Sequence, residues 1–198
     1  MTLTNADILS RQPSLADCSS KAKGGTTTSA ICSKLERVYP NDELINWYIC
    51  FLNGANKGID RLVTGSDKQS GEIFFDTLDT TIDANTQIAI LEDGYLHFAD
   101  EAESILTNKF RNNGLDISLF LDNSDLKELH LVTALSLIFD NLYNDATSDD
   151  SYYNKMIEYK QQSELLFSSL RADYDVDENG EISEVEENTK VTQIGFDR

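Results

Sequence analysis

Apolar residues recur along this chain at spacings that predict a mainly α-helical protein. Leu44, Ile45, Tyr48, Phe51, Leu52, Ala55, Ile59 and Leu62 follow one helical face. Pro40-Asn41-Asp42-Glu43 opens that helix, Thr64-Gly65 closes it, and Trp47 lies on its flank. Ile88, Leu91, Tyr95, Phe98, Ala102, Ile105 and Leu106 trace a second face up to Phe110, where Asn112-Asn113-Gly114 supplies a stop. Ser124 is placed to cap a third helix, in which Leu126, Leu129, Leu131, Val132, Ala134, Leu135, Leu137, Ile138 and Leu142 occupy nearly all sides. That helix is expected at the centre of a bundle. Beyond a polar break from Asp145 to Asp150, Tyr152, Met156, Tyr159, Ser163, Leu166 and Leu170 line a last long helix.

Two stretches do not carry this period. Residues 1–33 are rich in Ser, Thr, Lys and Gly, with apolar residues too sparse to keep a face in register, and read as an extended N-terminal arm. Residues 66–85 are polar around Glu72-Ile73-Phe74-Phe75-Asp76 and read as a projecting loop or hairpin. The predicted organisation is therefore an arm over 1–33, a small helical bundle over 34–170 with its projecting loop, and a C-terminal tail over 171–198.

A formal charge of -19 argues against wrapping nucleic acid or coating an anionic membrane. No apolar stretch has the length that spans a bilayer, and the first residues lack the basic and apolar regions of a secretory signal. Cys18, Cys32 and Cys50 are an odd number without C-x-x-C spacing, which fits ordinary thiols in a reducing compartment.

The tail carries the sharpest chemical signal. An EF-hand loop needs oxygens at its first, third and fifth positions, glycine at the sixth, a carbonyl at the seventh and a bidentate glutamate at the twelfth. Asp175-Val176-Asp177-Glu178-Asn179-Gly180-Glu181-Ile182-Ser183-Glu184-Val185-Glu186 meets each requirement. Asp175, Asp177 and Asn179 offer side-chain oxygens, Glu181 its carbonyl, Ser183 a direct or water-bridged contact and Glu186 both carboxylate oxygens. Such hard ligands select Ca2+ over softer-ligand metals. The competing explanation is an acidic solvated turn. A single loop, followed by a short β-branched tail, points to a structural clamp more than to a sensor.

Other constellations have bland explanations. Lys23-Gly24-Gly25-Thr26-Thr27-Thr28 has its lysine on the wrong side of the glycines for a phosphate loop. His97 and His130 have no Cys or His at ligand spacing. Asp149-Asp150 and Glu186-Glu187 are pairs that a chain this acidic produces by chance. Tyr152, Tyr153 and Tyr159 form a stripe that suits either an interface or helix packing. No catalytic constellation stands out, so an enzyme is not expected.

The order of predicted helices, opening with Val38-Tyr39-Pro40-Asn41-Asp42-Glu43-Leu44-Ile45, then Ile59-Asp60-Arg61-Leu62, the apolar helix Leu129 to Leu142 with Ala134-Leu135-Ser136-Leu137-Ile138-Phe139, and Tyr152 to Leu170, resembles the head-to-tail connector (adaptor, or head-completion) proteins of tailed bacteriophages. The resemblance covers about residues 37–198, with the calcium loop outside the family's core pattern. It implies a structural virion protein at the neck, made in the host cytoplasm. Copies would form a dodecameric ring between the portal protein and a tail or second neck protein, with DNA only passing through the lumen and no membrane contact. The alternative is a cytosolic EF-hand-type calcium-binding protein, acting as a regulatory module or buffer.

Overall fold

The computed structural model describes residues 2–32, 42–120, 124–145, 150–172 and 189–190. The chain divides into two compact units, Thr4–Leu96 and His97–Arg198 together with Met1–Leu3. The first is built on β-structure, which overturns the mainly α bundle with an extended N-terminal arm.

The unit begins with α1 (Asn5–Arg11). Thr4 and Asp7 cap it reciprocally, each side chain meeting the other's backbone N–H at 3.1 Å. Asn5 is fully buried; its N–H donates to Asp60 Oδ2 (2.8 Å) and its Oδ1 accepts from the Tyr95 N–H (2.8 Å). Seven strands follow: β1 (Cys18–Lys21), β2 (Gly24–Gly25), β3 (Ser29–Ile31), β4 (Tyr48–Phe51), β5 (Asp60–Asp67), β6 (Glu72–Phe75) and β7 (Gln87–Leu91). All are paired antiparallel in the order β1-β7-β4-β5-β6-β3-β2.

The strands at the two ends of that order, β1 and β2, are separated in the chain only by Ala22 and Lys23. Ala22 N–H donates to Thr86 O (2.9 Å) on the β7 side, and Lys23 N–H donates to Ile31 O (2.8 Å) on the β3 side. One stretch of backbone thus changes partner between consecutive residues, and the sheet closes on itself as a small barrel. Closure leaves little unpaired edge for stray association.

Alternation along the strands fills the interior. Ile49 and Phe51 from β4, Val63 from β5, Ile73 and Phe75 from β6, and Ile88 and Ile90 from β7 form one buried cluster with Ala22, Ala30, Cys32, Leu44, Leu78 and Ile82. Phe51 and Phe75 meet edge to face at 5.5 Å. On the opposite face of the sheet Cys50 and Ala89 sit directly opposite one another and are also fully buried, where α1 packs on β4.

This double burial explains the misread helix. A strand covered on both sides is a continuous apolar run, here Trp47 to Leu52, and a continuous run satisfies a helical period as readily as any other. Asp42–Asn46 is turn, not helix, and Gly54 and Gly58, both at positive φ, lie in the connection from β4 to β5. Likewise Ile88 and Leu91 belong to β7 and not to the helix after it. Of the projecting loop or hairpin predicted over 66–85, the hairpin is observed, with β5 and β6 paired antiparallel across residues 68–71, but it does not project, since β6 pairs with β3 on its other side.

The second unit agrees better with the periodic reading. Its helices are α2 (Leu96–Asn112), α3 (Ser124–Asp145) and α4 (Asp150–Ser169), with a short pair β8 (Arg171–Ala172) and β9 (Thr189–Lys190). The α2 stop is as predicted, with Gly114 at φ 76° and its N–H bonded to Arg111 O at 2.9 Å. Leu106, Phe110, Leu115, Phe120, Leu126, Leu129, Phe167 and Leu170 form one core, with the Phe110 ring 5.0 Å from Phe120 and 5.1 Å from Phe167. Between α3 and α4, Phe139 stacks on Tyr159 at 5.8 Å and lies 6.2 Å from Tyr152, while Tyr153 sits beside Tyr143 at 5.3 Å. Tyr152 and Tyr159 thus pack between the helices, while Tyr153 remains 44% exposed. No helix among the described residues is long and apolar enough to cross a membrane.

Candidate functional site

The predicted calcium ligands Asp175, Asp177, Asn179, Glu181, Ser183 and Glu186 lie outside the described residues, as do Asp149, Glu186 and Glu187 of the acidic pairs. The chain on either side of the loop is described. α4 delivers the backbone to Leu170, which is 2% exposed and belongs to the helical core. Arg171 and Ala172 then pair antiparallel with Lys190 and Thr189, and β8 also packs on α3. Residues 172 and 189 are thus held side by side, so the segment carrying all six candidate ligands leaves and rejoins the helical unit at one anchored point. The outgoing chain is strand at Thr189–Lys190, where a helix–loop–helix hand would have helix.

Several titratable groups elsewhere are engaged in structure. His130 is 1% exposed, and its Nε2 lies 2.7 Å from Ala99 O, which makes Nε2 the protonated nitrogen and leaves Nδ1 without a hydrogen-bond partner among the described residues. His97 is tilted against Phe98 at 3.9 Å. Burial, reinforced by Cys18, pushes the Cys32 thiol up to about 12, and burial with the nearby Asp60 carboxylate pushes Cys50 higher still. Both are protonated, unreactive thiols at neutral pH. Asp67 is held below the usual carboxylate range by the backbone N–H of Gln69 and the hydroxyl of Ser70, and Asp116 by the N–H and hydroxyl of Ser118; both are turn-forming aspartates. Among the described residues no group of three or more His, Cys, Asp or Glu could hold a metal ion. Gly24 and Gly25, part of the phosphate-loop lookalike, form β2 at the barrel closure.

One cleft of about 340 Å³ opens between α2, α3 and α4. Ile105 and Leu106 come from α2, Leu137 from α3 and Met156 from α4, giving it an apolar floor. At its base Thr133 Oγ1 donates to Leu129 O (2.7 Å) and lies 2.8 Å from Ser163 Oγ, both side chains being more than nine-tenths buried. With the Thr133 proton committed, Ser163 donates to Thr133 and keeps its own lone pairs as acceptors. Lys109 Nζ donates to Glu164 Oε2 at 2.7 Å and lies 4.2 Å above the Phe167 ring, tying α2 to α4. Asp140 and Lys160 complete the wall; both are exposed, and neither has an ion-pair partner among the described residues. These positions are spread over 105–164, so their assembly was not legible in the sequence. The available signal was the small hydroxyls Thr133, Ser136 and Ser163 on otherwise apolar faces.

Comparison of the chain with protein-family models, with curated proteins and with solved structures finds no match.

Proposed function

We propose that this chain is a calcium-binding protein in which Asp175, Asp177, Asn179, Glu181, Ser183 and Glu186 hold a single Ca2+ that clamps the C-terminal segment onto the helical unit. The observation that carries this reading is the β8–β9 ladder, which joins the chain just before the loop to the chain just after it. Closing a loop costs conformational entropy, and an ion that must also bring distant ends together binds more weakly for it. Here the ends are already neighbours, so binding does not bear that closure cost. Carboxylate and carbonyl oxygens at EF-hand positions supply the hard ligand set that Ca2+ prefers. A lone loop closed by a strand pair, without a facing second hand, suits a structural clamp or a buffer better than a sensor whose helices swing apart.

The ring-subunit reading rests on an order of helices that differs from the one observed. Val38 to Asn41 lie outside the described residues, Asp42 to Ile45 is turn, and Asp60 to Leu62 is the start of β5. Its remaining support is the helix pair α3 and α4, which covers Leu129 to Leu142 and most of Tyr152 to Leu170, together with the acidity.

Terbium is the test, since it occupies calcium sites and is sensitised by a nearby phenol; Tyr174 directly precedes the loop. The expected result is luminescence that saturates with one ion per chain and is displaced by Ca2+ far more readily than by Mg2+. Luminescence that never saturates, or that Mg2+ displaces equally well, would contradict the assignment.

A further inference from the structure

We propose that the cleft between α2, α3 and α4 is a binding site for a small zwitterionic ligand with an apolar side chain, of the α-amino-acid class. Its volume of about 340 Å³ falls at the lower end of small-molecule sites and is too confined for a partner helix, which needs a groove several turns long. The floor of Ile105, Leu106, Leu137 and Met156 offers an apolar body a place out of water, and Ile105 is 41% exposed until something covers it.

The charges narrow the ligand further. Lys109 and Glu164 neutralise one another at 2.7 Å and cannot select for charge. Lys160 from α4 and Asp140 from α3, which both line the cleft and are not paired with each other, can. A purely anionic ligand would meet Asp140, and a purely cationic one would meet Lys160. A ligand carrying both signs on a short backbone satisfies both, with its carboxylate at Lys160 and its ammonium at Asp140, while the acceptor lone pairs of Ser163 lie at the base. In a chain of net charge -19, a cleft whose own four charges balance is also the place where an overall neutral ligand is neither drawn nor repelled by local charge.

The chain offers a clean probe. It has two methionines, Met1 and Met156, and Met156 lines the cleft. Full-length protein labelled with 13C at the methionine methyls is titrated with L-phenylalanine, N-acetyl-L-phenylalanine and L-phenylalaninamide. The expected result is a saturable shift of the Met156 signal by L-phenylalanine, with each blocked analogue at least about tenfold weaker because one charged contact is lost. Asp140→Asn should bring L-phenylalanine down to the level of its N-acetyl form, and Lys160→Gln down to that of its amide. Both positions are exposed, so circular dichroism of each variant should match the parent. No Met156 shift up to the solubility of L-phenylalanine would overturn the proposal. So would equal shifts from the blocked analogues, which would mark an apolar surface without charge selection, open to another protein or a second copy.

Discussion

Gly25 and Gly58 are both glycines for physical reasons, but for different ones. A Cβ on Gly25 would overlap Ser29 O and come within 3.0 Å of Ala30 Cα and 3.1 Å of Ile82 Cβ, at the point where the barrel closes. Backbone cannot yield there as a side chain would, so Gly25→Ala should destabilise the β-unit by about 3 kcal/mol or more. Gly58 has nothing within 4 Å of that position, and only its φ of +85° opposes a side chain. Gly58→Ala should cost about 1–2 kcal/mol, the strain of a left-handed conformation. Urea unfolding of the two variants gives the comparison. The cysteines yield a pH prediction. Burial pushes the Cys32 thiol up to about 12 in the fold against 9.0 for an ordinary thiol, and Cys50 is shifted the same way. The unfolded chain therefore binds fewer protons above pH 9.0, so stability is full below that pH and falls as pH rises toward 12. Denaturation midpoints measured up an alkaline series should decline accordingly, and Cys32→Ala should flatten the decline. Iodoacetamide should modify half-buried Cys18 first, with Cys32 and Cys50 reacting only after denaturation.

At the scale of elements, the two cores share no residue, and each can be weakened separately. Phe51→Ala removes a fully buried ring from the barrel and should cost that unit about 3–5 kcal/mol. Trp47, the one tryptophan, packs against the same cluster and reports it by fluorescence. Leu135→Ala, on the fully buried side of α3, should cost about 2–5 kcal/mol and move the helical circular dichroism transition instead. Identical shifts of both signals in both variants would show that the units unfold as one. α3 and α4 were legible because α3 is apolar on nearly all sides over many turns and α4 carries apolar residues at helical spacing, and the break at Asp145 to Asp150 coincides with the end of α3 and the start of α4. The barrel was not, for reasons visible in particular residues. β1 to β3 are two to four residues long, too short for alternation to register, and are rich in the Ser and Gly that resemble a solvated arm. β4 is buried on both faces and so lacks alternation altogether. Two signals did point the other way: the capping pair Thr4 and Asp7, and the glycines at 54 and 58, which break any helix proposed across them.

For the whole molecule, a formal charge of -19 concentrates cations near the surface, but screening confines that attraction to about 8 Å at physiological salt. On the proposed calcium reading, selectivity for Ca2+ comes from the loop itself, flanked by the strands that the β8–β9 ladder joins. Binding that favours the folded state raises stability by about 2.7 kcal/mol at a hundredfold excess over Kd. Since β8 packs on α3, that gain should appear in the helical transition. The most direct test is isothermal titration calorimetry of the full chain with CaCl2, beside the Glu186→Gln variant, which keeps the shape of the twelfth-position ligand and removes its charge. One Ca2+ per chain is expected, with a loss of binding of at least about a hundredfold in the variant. Absence of calcium binding in the parent, or equal affinity in Glu186→Gln, would contradict it.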